Sequence, residues 1–346
     1  MSVDKLKRAQ KNKNDEFYTR YEDVADEMQH YAQYFVDKTI YCPCDNINSA
    51  FTRYFIDNFS KFALKKLICT SLNGQLITYD GTTIKQTQLN GDGDIFSNEC
   101  EQYFNECDII ITNPPFSLFK DFINYINQFN KQFILITTLL NLGWRDIFPH
   151  IQSKEWKLGI NGRTMYFNIP DDMDIINPKI LKYDENGNKQ LPLPNVVWLQ
   201  NIADIRHNPP LKLTQKYSPD KYPKFDNYNA INVDKVKDIP SDYYGLMGVP
   251  ISYLYKHNDE QFEIVWIAQG WINKWCNENH EMKETIGYDH SKTLYSGGQA
   301  FLNQKAKFSR VLIQQRIGYN HIKEDKGGAP LVNKKAKFYK LLIQRK

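Results

Sequence analysis

Residues 108–116 read DIIITNPPF, and they are the most informative stretch of the chain. The three isoleucines form an apolar run of the kind that buried strands of parallel sheets carry. The run leads into Asn113, Pro114, Pro115 and Phe116, and then into SLFKDFINYINQF, whose apolar spacing predicts a helix. Because ligands bind beyond the carboxyl ends of strands in open α/β sheets, the four residues after the run form a candidate binding site.

The two prolines make this turn stiff, since each fixes φ at about −65° and removes a backbone N–H donor. The side-chain oxygen of Asn113 and the carbonyl oxygen of Pro114 are then suitable acceptors for both N–H bonds of an exocyclic amine on a base. Two such acceptors draw the nitrogen toward tetrahedral geometry and direct its lone pair at an incoming electrophile. Phe116 is placed to stack on a base extruded from its duplex.

Short apolar runs alternate with helical stretches on both sides of this motif. TIYCPC, KKLICTS and QFILITTLL predict buried strands, and SAFTRYFIDNFSKF predicts a helix. Residues 15–35 predict an extended lead-in followed by an amphipathic helix, whose apolar face is formed by Val24, Met28, Tyr31 and Phe35. This rhythm predicts an α/β fold, in which helices cover both faces of a parallel sheet.

The texture changes after about Gly143. WKLGI, RTMYFNI and NVVWLQNI predict strands that finish the sheet edge with an antiparallel hairpin. Residues 206–245 are rich in Pro, Asn, Asp and Tyr, which predicts a long surface excursion or a domain connection. We therefore expect two domains, residues 1–205 and a smaller strand-rich region at 206–346.

The composition excludes several classes of protein. Hydrophobic residues make up 41% and charged residues 24% of the chain, as in globular domains. No apolar run approaches the ~20 residues that a membrane helix needs, and the N-terminus lacks the apolar stretch of a secretory signal. The six cysteines are scattered without zinc-ligand spacing. We therefore expect a cytoplasmic protein with no membrane contact and no metal site.

The C-terminal part is strongly basic. Residues 291–346 contain 13 Lys and Arg and two acidic residues, which favours a polyanion-binding surface over a merely solvated lysine-rich face. This part also holds a repeat, because residues 297–316 and 327–346 are identical at ten of twenty aligned positions. Two interpretations remain open: a duplicated DNA-contacting element, which we favour, and a duplicated structural strand with lysines at its rim.

These motifs resemble those of the N6-adenine DNA methyltransferases and, within them, the EcoRI-type adenine-specific methyltransferases. The resemblance covers most of the chain, from DEFYTRYEDVADEM to the C-terminal strands, and the motifs follow the family's order. It implies a Rossmann-like S-adenosylmethionine-dependent methyltransferase sheet and methyl transfer to the N6 amino group of an adenine flipped out of double-stranded DNA. It also implies that Asn113, Pro114, Pro115 and Phe116 are the catalytic residues.

The resemblance further implies a cofactor site built from three segments. DEFYT, residues 15–19, matches the lead-in that closes over the methionine part of S-adenosylmethionine. IYCPCDNINSAF, residues 40–51, matches the first strand and loop beneath the cofactor, and Asp94-Ile95-Phe96 matches the acidic position that receives the adenine amino group. The implied cofactor-binding residues are Phe17, Tyr18, Thr19, Cys42, Pro43, Asp45, Asp94 and Ile95.

The chain departs from the family pattern at two places. The loop after the first strand, Cys42-Pro43-Cys44-Asp45-Asn46, contains no glycine, and Asp45 is expected to take over a polar role toward the cofactor's amino or carboxylate group. The second strand, LICTSLN, ends without the carboxylate that usually holds the ribose hydroxyls. Asp92 is an alternative to Asp94 as the acidic position.

The resemblance assigns residues 1–205 to catalysis and 206–346 to recognition of the DNA target. Six basic residues of the repeat are the expected DNA contacts: Lys305, Lys307, Arg310, Lys334, Lys335 and Lys337. The expected partners are double-stranded DNA and a cognate restriction endonuclease acting on the same site, and the expected state is a monomer. Three alternatives stay open: an N4-cytosine methyltransferase, an RNA amino-methyltransferase and a catalytically silent DNA-binding protein on the same scaffold.

Overall fold

A computed structural model of the chain describes residues 18–162, 164–170, 180–268, 284, 286, 330–333, 335–336 and 340–346. These residues form two compact units. The first contains 18–138 and 156–206, and the second contains 139–155 and the described residues from 207 onward. Within the described ranges, no helix is both long enough and apolar enough to cross a membrane.

The first unit holds four α-helices and twelve strands among its described residues. The helices are α1 (Tyr21–Met28), α2 (Ala50–Asp57), α3 (Asn98–Glu106) and α4 (Phe119–Ile126). The strands are β1 (Tyr18–Thr19), β2 (Thr39–Pro43), β3 (Lys66–Thr70), β4 (Gln75–Tyr79), β5 (Ile84–Gln88), β6 (Ile109–Thr112), β7 (Gln132–Thr138), β8 (Lys157–Leu158), β9 (Met165–Asn168), β10 (Lys182–Tyr183), β11 (Lys189–Leu193) and β12 (Val196–Gln200).

Eight of these strands form one large sheet in the order β5-β4-β3-β2-β6-β7-β12-β8. The four central strands, β3, β2, β6 and β7, are parallel to one another. Antiparallel pairs flank them on both sides, β4 and β5 at one edge and β12 and β8 at the other. Every residue of β2 and β6 is buried, as their continuous apolar runs predict. The chain is therefore of the mixed α/β class.

The helix predicted near the start of the chain forms, and its predicted face is buried. Val24, Met28, Tyr31 and Phe35 have no exposed surface. The α-helix itself ends at Met28 and continues as a 3₁₀ helix over Gln29–Tyr34, which carries Tyr31 into the core. Tighter winding changes the positions of side chains, but the three- and four-residue spacing still points them to one side.

Two features of the sheets differ from the sequence expectation. The RTMYFNI segment forms β9, which does not finish the large sheet but joins a separate four-stranded sheet in the order β1-β9-β11-β10. The hairpin of β4 and β5 was not anticipated, although its Asp80-Gly81 turn lies between two alternating segments, a strong hairpin signal. Asp80 stabilises that turn by accepting hydrogen bonds from the backbone N–H groups of Thr82 and Thr83 at 2.9 and 3.0 Å.

The second unit is built around an open sheet. Its elements are α5 (Phe148–Gln152), β13 (Ala230–Asn232), β14 (Leu246–Pro250), β15 (Phe262–Ala268), β16 (Leu331–Val332), β17 (Lys335–Ala336) and β18 (Lys340–Arg345). The sheet order is β13-β14-β18-β15, so the apolar run of the second repeat copy is a central strand. Residues 206–245 are largely irregular. No residue of 206–221 is buried, as expected of a surface excursion, whereas Tyr222, Phe225 and Tyr228 are buried and belong to the core.

A buried carboxylate holds the backbone that follows β8. Glu27 on α1 has no exposed surface. It accepts hydrogen bonds from the Tyr31 hydroxyl at 2.9 Å, the Ile160 N–H at 2.8 Å and both the backbone and side-chain N–H groups of Asn161 at 2.9 Å. Burial raises the pKa of this carboxyl despite those donors, because desolvation is the largest contribution.

Replacing this acceptor by a donor should destabilise the first unit. In the Glu27→Gln variant an amide N–H₂ group faces backbone N–H donors, which leaves at least one of them without an acceptor. We expect a loss of about 2–3 kcal/mol in the free energy of unfolding, measured by urea denaturation. The control is Glu22→Gln on the exposed side of the same helix, which should stay within about 0.5 kcal/mol of wild type. Equal stabilities for the two variants would contradict a holding role for Glu27.

Candidate active site

The connections of the large sheet create a topological switch point between β2 and β6. The chain leaves β2 through α2 and returns as β3 on one side, whereas β6 lies against the other side of β2. The loops that follow β2 and β6 therefore run in opposite directions from adjacent strand ends, which is the place where open α/β sheets bind their ligands. Pro43 ends β2 and Asn113 follows β6 directly, so two of the segments singled out in the sequence meet at this point.

Thr112 joins these two strand ends. Its side chain is fully buried, and its hydroxyl Oγ1 contacts both the carbonyl oxygen of Pro43 and Oδ2 of Asp45, the latter at 2.9 Å. The backbone N–H of Asp45 donates to the carbonyl oxygen of Thr70 at 2.8 Å, which ties the same loop to the end of β3. Thr112 is not among the site residues predicted from the sequence. The signal that could have identified it is a hydroxyl at the last position of a buried apolar strand.

Asp45 carries a carboxyl group that is shielded from solvent. The residue is only 7% exposed, and its carboxyl is hydrogen-bonded by the hydroxyls of Ser49 and Thr112. Burial raises the pKa of Asp45 to about 7, because the cost of desolvating the charge exceeds the stabilisation from the two hydroxyls. The carboxyl therefore changes its charge near neutral pH, and a nearby cation would favour its ionised form.

Cys44 adopts, in this loop without glycine, a backbone conformation that glycine favours. Its backbone has a φ of 70°, the left-handed conformation that glycine adopts at least cost. The electrostatic neighbours of its thiol include Asp45 and Asp94. The loop after β2 therefore lies close to residues 92–96, the acidic segment before α3. Burial raises the pKa of the Cys44 thiol, which is therefore neutral at physiological pH.

The acidic segment is held by hydrogen bonds within its own turn and lies against the end of β3. Oδ1 of Asp94 accepts the backbone N–H of Phe96 at 2.8 Å, and Asp92 accepts the N–H of Asp94 at 3.2 Å, so both aspartates shape the turn. Gly93 has a φ of 78°, and a Cβ there would lie 1.9 Å from the carbonyl oxygen of Ser71 at the end of β3. Close backbone approach thus requires glycine at this position.

On its other side, this segment meets the helix that follows the NPPF motif. The ring of Phe96 contacts that of Tyr125 on α4 edge-on, with 5.3 Å between centroids. Burial is the largest contribution raising the pKa of Asp94, and the charge of Asp92 adds to it. Ile95 is buried, which provides the apolar side chain expected beside the acidic residue.

The NPPF residues form the turn that leads from β6 toward α4. The carbonyl oxygen of Pro115 accepts the N–H of Leu118 at 2.9 Å and begins a 3₁₀ turn over Phe116–Leu118. No hydrogen bond to the Pro114 carbonyl oxygen forms within the described part of the chain. The side-chain oxygen of Asn113 is shielded from solvent, and the ring of Phe116 is 4% exposed.

The remaining predicted site residues lie elsewhere or outside the described residues. Tyr18 and Thr19 form β1, which pairs with β9 rather than with the large sheet. Oγ1 of Thr19 is buried and has no hydrogen-bond partner in the described part of the protein. Lys335 lies in β17, and its side chain is not described. Phe17, Lys305, Lys307, Arg310, Lys334 and Lys337 lie outside the described residues.

Known proteins resemble this chain over most of its length. The family model described as "Adenine-specific methyltransferase EcoRI" matches residues 5–83 and 73–316. Type II methyltransferase M.EcoRI of Escherichia coli is 36% identical over 294 residues, covering 77% of this chain and 89% of that protein. Type II methyltransferases M.MgeORF184P of Mycoplasma genitalium and M.MpnI of Mycoplasma pneumoniae are 35% and 32% identical, each covering 89% of this chain and 98% and 97% of their own lengths. No solved structure matches.

The motif at the switch point and these matches define the class of protein as a DNA methyltransferase. The chain belongs to the EcoRI-type adenine-specific methyltransferase family. The resemblance inferred from NPPF and its surroundings is thereby confirmed, and so is site-specific DNA methylation as the function.

The left-handed backbone at Cys44 allows a direct test of the loop geometry. Glycine relieves the strain of this conformation and alanine keeps it, so Cys44→Gly should be more stable than Cys44→Ala by about 1 kcal/mol. At Cys107, where φ is −73°, the order should reverse, because glycine only adds chain entropy to the unfolded state. Thermal unfolding of the four variants measures both differences. Alanine equal to or better than glycine at position 44 would show that the loop has another conformation.

Proposed function

We propose that this protein binds S-adenosylmethionine at the switch point of the large sheet and methylates the N6 amino group of an adenine flipped out of double-stranded DNA. One observation carries the proposal: the loop after β2 and the NPPF turn after β6 start from adjacent parallel strand ends and are joined through Thr112. The parallel order β3-β2-β6-β7, with helices in the connections, supports a Rossmann-like methyltransferase sheet.

The residues present fit the cofactor. Bound S-adenosylmethionine supplies an electrophilic methyl carbon on a sulfonium. Asp45 offers a buried carboxyl to the cofactor's ammonium group, and Thr19 offers a buried hydroxyl that lacks a partner in the described residues. Asp94 and Ile95 offer an acceptor beside an apolar side chain, as an adenine ring with an amino group requires. The remaining proposed contacts are Phe17, Tyr18, Cys42 and Pro43.

The NPPF residues act on the target base. The Asn113 side-chain oxygen and the Pro114 carbonyl oxygen accept the two N–H bonds of the amine and orient its lone pair. Neither acceptor removes the proton before transfer, because the amine becomes acidic only once it carries the new methyl group. Pro115 contributes stiffness by starting the 3₁₀ turn. Phe116 stacks on the extruded base, which must displace the groups that now cover its ring.

Recognition of the target sequence is assigned to residues 206–346. The basic repeat supports this assignment, since lysine and arginine side chains attract phosphates at any sequence. We further propose that the protein acts as a monomer in the cytoplasm, alongside a restriction endonuclease for the same site. Digesting methylated DNA to nucleosides tests the base: N4-methylcytosine instead of N6-methyladenine would overturn the adenine assignment. Equal methylation of structured RNA and duplex DNA would overturn the choice of polymer.

Removing the Asn113 amide should affect catalysis much more than cofactor binding. In Asn113→Ala one of two acceptors for the target amine is lost, so turnover should fall about 100-fold or more, the scale for one group acting in a transition state. The dissociation constant for S-adenosylmethionine should change less than about threefold, because the side chain is assigned to the base.

Transfer of tritiated methyl groups to DNA and equilibrium binding of the cofactor measure these two effects. Asn124→Ala, an exposed position on α4, is the matched control and should retain wild-type turnover. If Asn113→Ala were to retain most of the turnover, the proposed role of the motif would be wrong.

Lysines of the repeat should act on DNA affinity through phosphate contacts. Lys305→Ala and Lys307→Ala should each weaken binding at every sequence and reduce the slope of log affinity against log salt by about 1. Lys85→Ala, an exposed position on β5, is the control. Fluorescence anisotropy across a salt series measures the slopes. Slopes unchanged from wild type in both repeat variants would remove these lysines from the DNA interface.

A further inference from the structure

The Thr112 hydroxyl has two oxygen neighbours but only one proton to donate. It lies within hydrogen-bonding distance of two oxygens, the Pro43 carbonyl and Oδ2 of Asp45. A hydroxyl has one proton to donate, and a carbonyl oxygen has none. If Thr112 donates to Pro43, its contact with Asp45 is a hydrogen bond only when Asp45 is the donor, which requires a protonated carboxyl group.

We infer that Asp45 is protonated in the cofactor-free protein and donates to Thr112, and that binding of S-adenosylmethionine releases this proton to the solvent. The inference rests on the proposed cofactor site. In the free state the chain of bonds runs from the Asp45 carboxyl to the Thr112 hydroxyl and on to the Pro43 carbonyl. Each group then has the partner that its protons allow, and no charge is buried at the strand ends.

Cofactor binding reverses the direction of these bonds. The ammonium group of the cofactor stabilises the ionised carboxylate, whose O–H bond breaks as the proton leaves for the buffer. Thr112 then turns its hydroxyl to the carboxylate, since charged acceptors form the stronger bonds. This turn would free the Pro43 carbonyl oxygen, which together with Asp45 would hold the ammonium group of a bound cofactor. Thr112 is thereby a positioning residue, and it precedes Asn113 in the chain.

The groups around Asp45 do not compete for this proton. The thiols of Cys42 and Cys44 are its titratable neighbours on β2 and the loop, and burial raises the pKa of both, so they stay neutral. On the other elements it meets the hydroxyls of Ser49 and Thr112, which do not titrate. Asp94 reaches this region as a charge near Cys44, and its own pKa is raised by burial. Burial also raises the pKa of Asp45 to about 7, which supports a protonated free state.

Calorimetry of S-adenosylmethionine binding in buffers of different ionisation enthalpy counts the released protons. At pH 6.5 the cofactor's amine is already charged, and wild type should release about 0.7 proton per cofactor bound. Asp45→Asn keeps a donor toward Thr112 but has no proton to lose, so it should release none and bind more weakly. Asp220→Asn, the same change at an exposed carboxylate of the second unit, should release as many protons as wild type.

The outcomes separate this inference from the proposed function. Binding without proton release in wild type would overturn the inference and leave the cofactor site intact. Release that persists in Asp45→Asn would assign the proton to another group and overturn it as well. If S-adenosylmethionine does not bind to wild type at all, the proposed function fails first.

Variants of Thr112 test its part in the exchange. Valine has the same shape as threonine but cannot donate to the ionised carboxylate, so the pKa of Asp45 in the cofactor complex should be higher in Thr112→Val. The pH below which proton release is lost should therefore move upward. Cofactor affinity near pH 7 should fall about fivefold, and Thr112→Ser should restore both properties because it keeps the hydroxyl. A structural role alone would alter stability without moving the pH profile. An unmoved profile in Thr112→Val would exclude Thr112 from the relay.

Discussion

The pairing of β2 with β6 is the constraint on which the site depends. These strands lie parallel at the centre of the large sheet, and their side chains are buried. Burying such continuous apolar strands stabilises the sheet at about 25 cal/mol per Å² of apolar surface, and it fixes their register. The register in turn places the Thr112 hydroxyl 2.9 Å from Oδ2 of Asp45, so the end of β6 shares a hydrogen bond with the loop after β2, although the two are far apart in sequence.

Burying a charged group at these strand ends costs free energy, and this cost explains why Asp45 is protonated in the free protein. A charged carboxylate in an apolar setting loses its hydration, which shifts its equilibrium toward the neutral acid. Asp45 combines burial with two neighbouring hydroxyls, and its pKa lies near neutrality. Glu27 in the first unit shows the other arrangement, in which hydrogen bonds from Tyr31, Ile160 and Asn161 satisfy the carboxylate in place. The arrangement at Asp45 suits binding of a positively charged ligand, whereas the arrangement at Glu27 suits holding the backbone in one position.

The sequence was sufficient for the parallel strands and for the NPPF turn, because continuous apolar runs and paired prolines are local signals. It was not sufficient for strand partners. RTMYFNI has the period of a strand, but nothing local shows that it pairs with β1 and β11. The left-handed backbone of Cys44 was also hidden, since the packing of the loop imposes it on a residue that rarely adopts it. Burial of Tyr222 and Phe225 in an irregular segment is likewise a property of the tertiary structure.

The second copy of the repeat, whose strand is described, shows what one of its basic residues does. Lys340 begins that strand, and its ammonium group is buried and donates to the Val233 carbonyl at 2.8 Å rather than facing solvent. A basic residue at this repeat position therefore serves the packing of the sheet. Arg310 aligns with Lys340, which makes it a weaker candidate for a phosphate contact than Lys305 and Lys307. The family match ends at residue 316, where the first copy ends, so the copy that forms the central strand lies beyond the matched range.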